Sequence, residues 1–157
     1  MKVGLFVPCY VDAFFPEVGV ATLEILERCG VEVSYPLEQT CCGQPMANSG
    51  CQDDAAPAEA LFVENFKAFD YIVAPSGSCT HHVRAHFDAI PQSAEVTKVR
   101  DNIYALVEFL HDVVKVGEFP LIPPSYAVSR HRSPASLLRQ AHCKAIAIAA
   151  RLPARSA

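Results

Sequence analysis

Four cysteines set the chemical question: Cys9, the adjacent pair Cys41 and Cys42 inside "QTCCGQPMANSG" (residues 39–50), and Cys79 inside "APSGSC". Three further cysteines, Cys29, Cys51 and Cys143, bring the total to seven, an odd count that argues against a framework of structural disulfides. Adjacent cysteines rarely bond to each other without straining the turn, and no C-x-x-C is present. A thioredoxin-type dithiol enzyme and a structural zinc site therefore both lack their usual spacing. An iron–sulfur cluster tolerates neighbouring thiolates better, because its irons are separate and two adjacent sulfurs can address different ones.

The elements that would position these thiols follow from the apolar pattern. "KVGLFVP" predicts a short buried strand with Cys9 just past its end. "FPEVGVATLEILERCG" predicts a helix starting near Pro16 and stopping at Gly30, with Val18, Ala21, Thr22, Ile25, Leu26 and Cys29 on one face. Cys29 is accordingly expected in the core, as a small hydrophobe. "VEVSYP" predicts a second strand, whose following loop carries Cys41 and Cys42. Leu61, Phe62, Phe66 and Phe69 recur at helical spacing after Pro57, and "DYIVAP" predicts a third strand. "SGSCTHHVRAHF" turns directly from that strand into a helix expected to run to about Ala89. Val99, Ile103, Leu106, Val107, Leu110, Val113 and Val114 then predict one long amphipathic helix.

Strands alternating with helices predict an α/β fold, a three-layer, Rossmann-like parallel sheet with helices on both faces. In such sheets the loops after the strand C-terminal ends share one edge, where ligands bind. Cys9 follows the first strand, Cys41 and Cys42 the second, and Cys79 the third. Four thiols from three loops are thus expected to converge.

Cys9, then 31 residues, then Cys41-Cys42-Gly43, with 36 residues between Cys42 and Cys79, resembles the "CCG" cysteine-rich module of the heterodisulfide reductase family. "CCGQPMANSG" and "APSGSC" are most similar to the branch containing the iron–sulfur subunits of the bacterial lactate-utilisation oxidoreductase. The iron–sulfur subunits of glycolate oxidase and of anaerobic glycerol-3-phosphate dehydrogenase are broader relatives. The resemblance covers roughly residues 1–118. It implies an electron-transfer subunit bound to partner subunits that oxidise L-lactate to pyruvate, and a [4Fe-4S] cluster, noncubane in the best-described branch. Carried over, the ligands are Cys9, Cys41, Cys42 and Cys79. Gly43 would let backbone approach the cluster, and Gln44, Pro45, Asn48 and Ser49 would shape the loop around it.

The family pattern ends in a paired C-x-x-C of which this chain keeps one cysteine. Ser76 or His82 occupies the missing place, depending on alignment, and is the candidate extra ligand; His81 and His86 rank lower. Cys51 is near enough in sequence to join the site but lies outside the family's ligand set. A second module, expected from about residue 120, is replaced by a stretch with one cysteine, Cys143, and no second "CCG". Residues 1–118 carry all 17 acidic side chains and seven Lys/Arg, whereas residues 119–157 carry six Lys/Arg and no acid. The expected organisation is therefore a module at 1–118 and a basic tail at 119–157. That tail reads as a truncated or frameshifted remnant, the alternative being a genuine basic helix docked on the acidic head.

Neither part resembles a nucleic-acid surface, no apolar run reaches the length of a membrane span, and no signal peptide is evident. A cytoplasmic, reducing setting is expected, where clustered cysteines serve metals or redox chemistry. No flavin or nicotinamide motif is present, so lactate oxidation itself would fall to partner subunits. Two rival readings drop the electrons. One makes Cys79, at a helix N-terminus with His81 or His82 nearby, a thiol nucleophile. The other makes the chain a cluster-free remnant that still docks to family partners.

Overall fold

The structure, a computed structural model, describes residues 1–116. Its elements run β1 (Val3–Leu5), α1 (Cys9–Phe14), α2 (Pro16–Arg28), β2 (Val33–Ser34), α3 (Gln44–Asn48), α4 (Gln52–Phe66), β3 (Tyr71–Ala74), α5 (Gly77–Ala85), α6 (Ala94–Asp101), β4 (Ile103–Ala105) and α7 (Leu106–Asp112). The four strands form one parallel sheet in the order β2-β1-β3-β4.

Alternation along the strands divides the core between two faces. In β3, Ile72 and Ala74 join a cluster with Phe62 and Phe66 of α4, Val83 of α5, and Val96 and Val99 of α6. Val73, between them, joins Val3, Ile25 and Leu26 of α2, and Leu106, Phe109 and Leu110 of α7. A third cluster, Leu5, Val7, Val11 and Val18, packs α1 and the start of α2 beside β1. Helices thus cover both faces, giving the expected three-layer α/β architecture. Gly4 has its own packing reason: a Cβ there would lie 3.0 Å from the rings of Phe66 and Phe69.

The strand order fixes where a ligand would sit. From β1 the chain moves outward to β2, and from β3 it moves the opposite way to β4, so the connections diverge at the C-terminal ends of β1 and β3. That divergence opens a crevice between the two strand ends.

Several boundaries differ from the sequence expectation. The single long helix expected from Val99 to Val114 is α6, β4 and α7. Ile103, Tyr104 and Ala105 pair with Ile72, Val73 and Ala74, which completes hydrogen bonding on the outer edge of β3. Asn102 ends α6 by donating its side-chain amide to the Lys98 carbonyl at 2.8 Å. The apolar residues keep helical spacing across the break, so periodicity alone conceals it. The helix expected to reach Ala89 stops at Ala85, because His86 leaves helical geometry and the Ala89 amide donates to Glu59 Oε2 at 3.0 Å. Two loop segments also contain short helices, α1 beginning at Cys9 and α3 beginning at Gln44. Cys29 is half-buried against the Val3, Ile25 and Leu26 cluster, in keeping with its core assignment. The basic tail and Cys143 lie outside the described residues.

Candidate metal centre

Each thiol is delivered by a different piece of local structure at the β1/β3 crevice. Cys9 opens α1, four residues beyond the end of β1, and is exposed. Cys41 and Cys42 are brought beside it by Gln39, whose side chain behaves like a short additional strand. Its Oε1 accepts from the Val7 amide at 2.8 Å, and its Nε2 donates to the carbonyls of Leu5 and Pro36, each at 3.0 Å. The loop is thereby fastened to the backbone on both sides of Phe6.

After the pair, Gly43 adopts φ +85°, the left-handed region in which a side chain is strained, and turns the chain into α3. Gln44 then reaches the next element. Its Nε2 donates to the Ser78 carbonyl at 3.3 Å, and its Oε1 accepts from the Cys79 thiol at 3.6 Å. Ser76 caps α5, its Oγ accepting from the Cys79 amide at 3.4 Å and its carbonyl accepting from Thr80 Oγ1 at 2.8 Å. The Tyr10 hydroxyl approaches the same serine. β3 thus feeds Cys79 into a capped first turn, directly against the CCG loop.

The four sulfurs form a continuous chain. Cys9 donates to Cys41 across 3.6 Å, Cys42 lies within hydrogen-bonding reach of Cys41, and it also reaches Cys79. Burial grades along it: Cys9 is exposed, Cys41 half-buried, and Cys42 and Cys79 are 2% and 4% exposed. One proton shared among close sulfurs separates their acidities. The Cys42 thiol, aided by the Gly43 amide and Cys9, holds Cys41 down at about 5, although partial burial opposes it. Cys79 is lowered chiefly by Cys42, then by Ser76 and Ser78. Cys42 is pushed far up, because it is the donor to both neighbours and is buried as well. Burial and the Cys41 thiolate raise Cys9 to about 11. Cys41 and Cys42, close to each other, thus also meet different outer partners, Cys9 and Cys79. Among the described residues, all the cysteines are free thiols, and no three His, Cys, Asp or Glu side chains are arranged to hold a single metal ion.

The remaining candidates fall on either side of this chain. Ser76 belongs to it, as the cap of α5 and a partner of Cys79. The structure buries His82 to 1% exposure. Its ring lies beside the Cys42 carbonyl, and its Nε2 lies 3.8 Å from Glu59 Oε1. His81 and His86 are exposed and stack edge to face on each other. Cys51 is exposed and points its thiol at the Ser49 carbonyl, 3.9 Å away, at the start of α4. Pro45 and Asn48 lie in α3, and Ser49 ends it by donating its hydroxyl to the Pro45 carbonyl at 2.8 Å. Sequence reasoning missed Gln39, Tyr10 and Glu59. Only an acidic residue on the apolar side of a predicted helix could have flagged Glu59.

A parallel sheet that collects four free thiols around a Cys-Cys-Gly turn at its strand ends defines a cysteine-rich α/β module. Residues 3–84, just over half of the chain, match the CCG cysteine-rich domain, and the chain belongs to that family. The matched stretch contains all four thiols. The chain is also similar to lactate utilization protein A of Geobacillus kaustophilus, 45% identical over 122 residues, which cover 75% of this chain and 51% of the relative. The proteins of that name from Bacillus cytotoxicus and Bacillus subtilis are 47% and 46% identical over the same shares of each chain. The chain thus spans about half the length of the curated relatives it matches. No solved structure matches it, and no helix among the described residues is long and apolar enough to cross a membrane.

Proposed function

We propose that this chain is an iron–sulfur electron-transfer subunit of a lactate-utilisation system, working in the cytoplasm with partner subunits that oxidise L-lactate to pyruvate. Cys9, Cys41, Cys42 and Cys79 are the ligands in this reading. The observation that carries it is the grouping of four thiols at the β1/β3 crevice, with Cys41 beside Cys9 and Cys42 beside Cys79. Such a donor set suits a cluster with several irons better than one ion, because neighbouring thiolates need not crowd a single coordination sphere. Similarity to proteins named for lactate utilization supports the metabolic assignment.

Bound there, an iron–sulfur cluster, expected to be [4Fe-4S], supplies one-electron storage. The chain's own residues do the rest. Cys41 and Cys79, already biased toward thiolate, give up their protons most readily on ligation, and Cys42 and Cys9 release theirs against burial. Burial of Cys42 and Cys79 excludes water from the inner side, while exposed Cys9 marks the side from which a partner approaches. Ser76, Ser78 and the Gly43 amide surround the sulfurs with hydrogen-bond donors, which raise a thiolate-bound centre's potential.

The nucleophile reading draws on the lowered Cys79 thiol, but that sulfur is buried, His81 is exposed, and His82 turns its free nitrogen toward Glu59. Anaerobic reconstitution with iron and sulfide is the test. Wild type is expected to hold about four irons and four labile sulfides per chain with a cluster EPR signal, and Cys42→Ser to lose or alter that signal. A folded wild-type chain that retains neither iron nor sulfide overturns the proposal.

A further inference from the structure

Beneath the CCG turn lies a polar pair that the thiol chemistry does not use. Glu59, in the middle of α4, and His82, in α5, are 0% and 1% exposed. Around them the same cluster is built from Phe62, Phe66, Val83 and Phe87, with the His82 ring edge to face on Phe87. Burying a carboxylate and an imidazole among such residues costs several kcal/mol, of the order expected for poorly solvated polar groups, unless partners are supplied. Their partners are specific. Glu59 Oε2 accepts from the Ala89 amide at 3.0 Å, the His82 ring lies beside the Cys42 carbonyl, and Glu59 Oε1 faces His82 Nε2 at 3.8 Å. Neither of those last two atoms has a hydrogen-bond partner. The turn also rests on this pair directly, since a Cβ on Gly43 would come within 3.3 Å of Glu59 Cγ.

We propose that Glu59 and His82 form a buried strut that positions the Cys42 peptide, so that α4 and α5 hold the adjacent-thiol turn at a fixed height above the core. The proposal rests on the cluster reading above for its purpose, and both members are positioning residues. A separation of 3.8 Å leaves about 1 Å of slack before a hydrogen bond closes. Apolar side chains in the same places would fill the volume and leave the Cys42 carbonyl without a polar neighbour.

The test uses the full chain with Glu59→Leu, His82→Phe and Glu59→Gln, the last keeping a group able to bond both the Ala89 amide and the imidazole. In iron-free protein under anaerobic conditions, alkylation by iodoacetamide is mapped by peptide, and the rate at Cys42 is divided by that at exposed Cys51. The ratio is expected to rise about tenfold in Glu59→Leu and His82→Phe, as for loss of one buried polar contact, and to stay within about twofold of wild type in Glu59→Gln. After reconstitution, the first two should lose iron faster on desalting and show a changed EPR line shape. Wild-type ratios in folded Glu59→Leu and His82→Phe overturn the strut. Should both lose their folded circular dichroism, Glu59→Asp decides, because its shorter arm must raise the Cys42 ratio if the strut exists and leave it unchanged if not. A wild type that takes up no iron sinks the cluster reading, while the alkylation arm still decides the strut.

Discussion

Cys9 and Cys41 lie 3.6 Å apart sulfur to sulfur, yet their acidities are pushed in opposite directions. In iron-free protein this makes Cys41 the thiol to react first with an electrophile, since Cys79, also lowered, is buried. With its acidity held near 5, Cys41 is thiolate throughout the neutral range. Its alkylation rate should be flat above about pH 6 and fall as pH drops through the folded value, whereas an unperturbed thiol in a free peptide loses rate already below pH 8. Peptide-mapped alkylation between pH 4.5 and 9 checks this, and a Cys41 profile parallel to that of glutathione in the same solution would contradict the hydrogen-bonded contact with its neighbours. The four thiols were legible in the sequence because spacing and strand ends placed them together. Gln39 and Glu59 were not, since each acts through contacts with residues distant along the chain, and nothing about a glutamine two residues before a cysteine pair announces a backbone clamp.

At the scale of elements, the CCG turn is fixed from three directions: Gln39 to the end of β1, Gln44 to the start of α5, and Gly43 seated against α4. Gly43 joins a left-handed backbone to a close approach, so Gly43→Ala is penalised twice. It should cost about 1–2 kcal/mol from the backbone alone, read as a lower urea midpoint, and should also weaken iron retention. Wild-type stability with wild-type iron content would show that the turn relaxes freely. The sheet, the α2 and α4 helices and the convergence edge followed from periodicity and turn residues. β4 did not, because Val99, Ile103, Leu106 and Leu110 keep helical spacing while the backbone between them changes from helix to strand and back. The pairing of Ile103 and Tyr104 with β3 decides that segment, and a partner strand 31 residues upstream lies outside any local window.

At the scale of the whole sheet, every strand pairing among the described residues is parallel, and no hairpin joins neighbouring strands there. The central contact between β1 and β3 is closed at its base by the Lys2 amide donating to Asp70, 68 residues away, at 2.7 Å. Folding must complete that long loop before the crevice exists, which places this chain among slow-folding topologies dominated by distant contacts. Cys9 and Cys79 ride on those two strands, so they are strangers in the nascent chain and meet only once the sheet has closed. On the iron–sulfur reading proposed above, iron acquisition is a maturation step that follows folding. Refolding from denaturant should proceed at the same rate with ferrous iron and sulfide present as with a chelator, the two samples diverging only in their resistance to unfolding afterwards. A refolding rate that climbs with iron concentration would instead make the metal a participant in nucleation. On the expected order of events, the interval between closure of the sheet and delivery of iron is when the thiols are gathered but unprotected, and oxidants present then have a Cys9 and Cys41 pair within reach of each other.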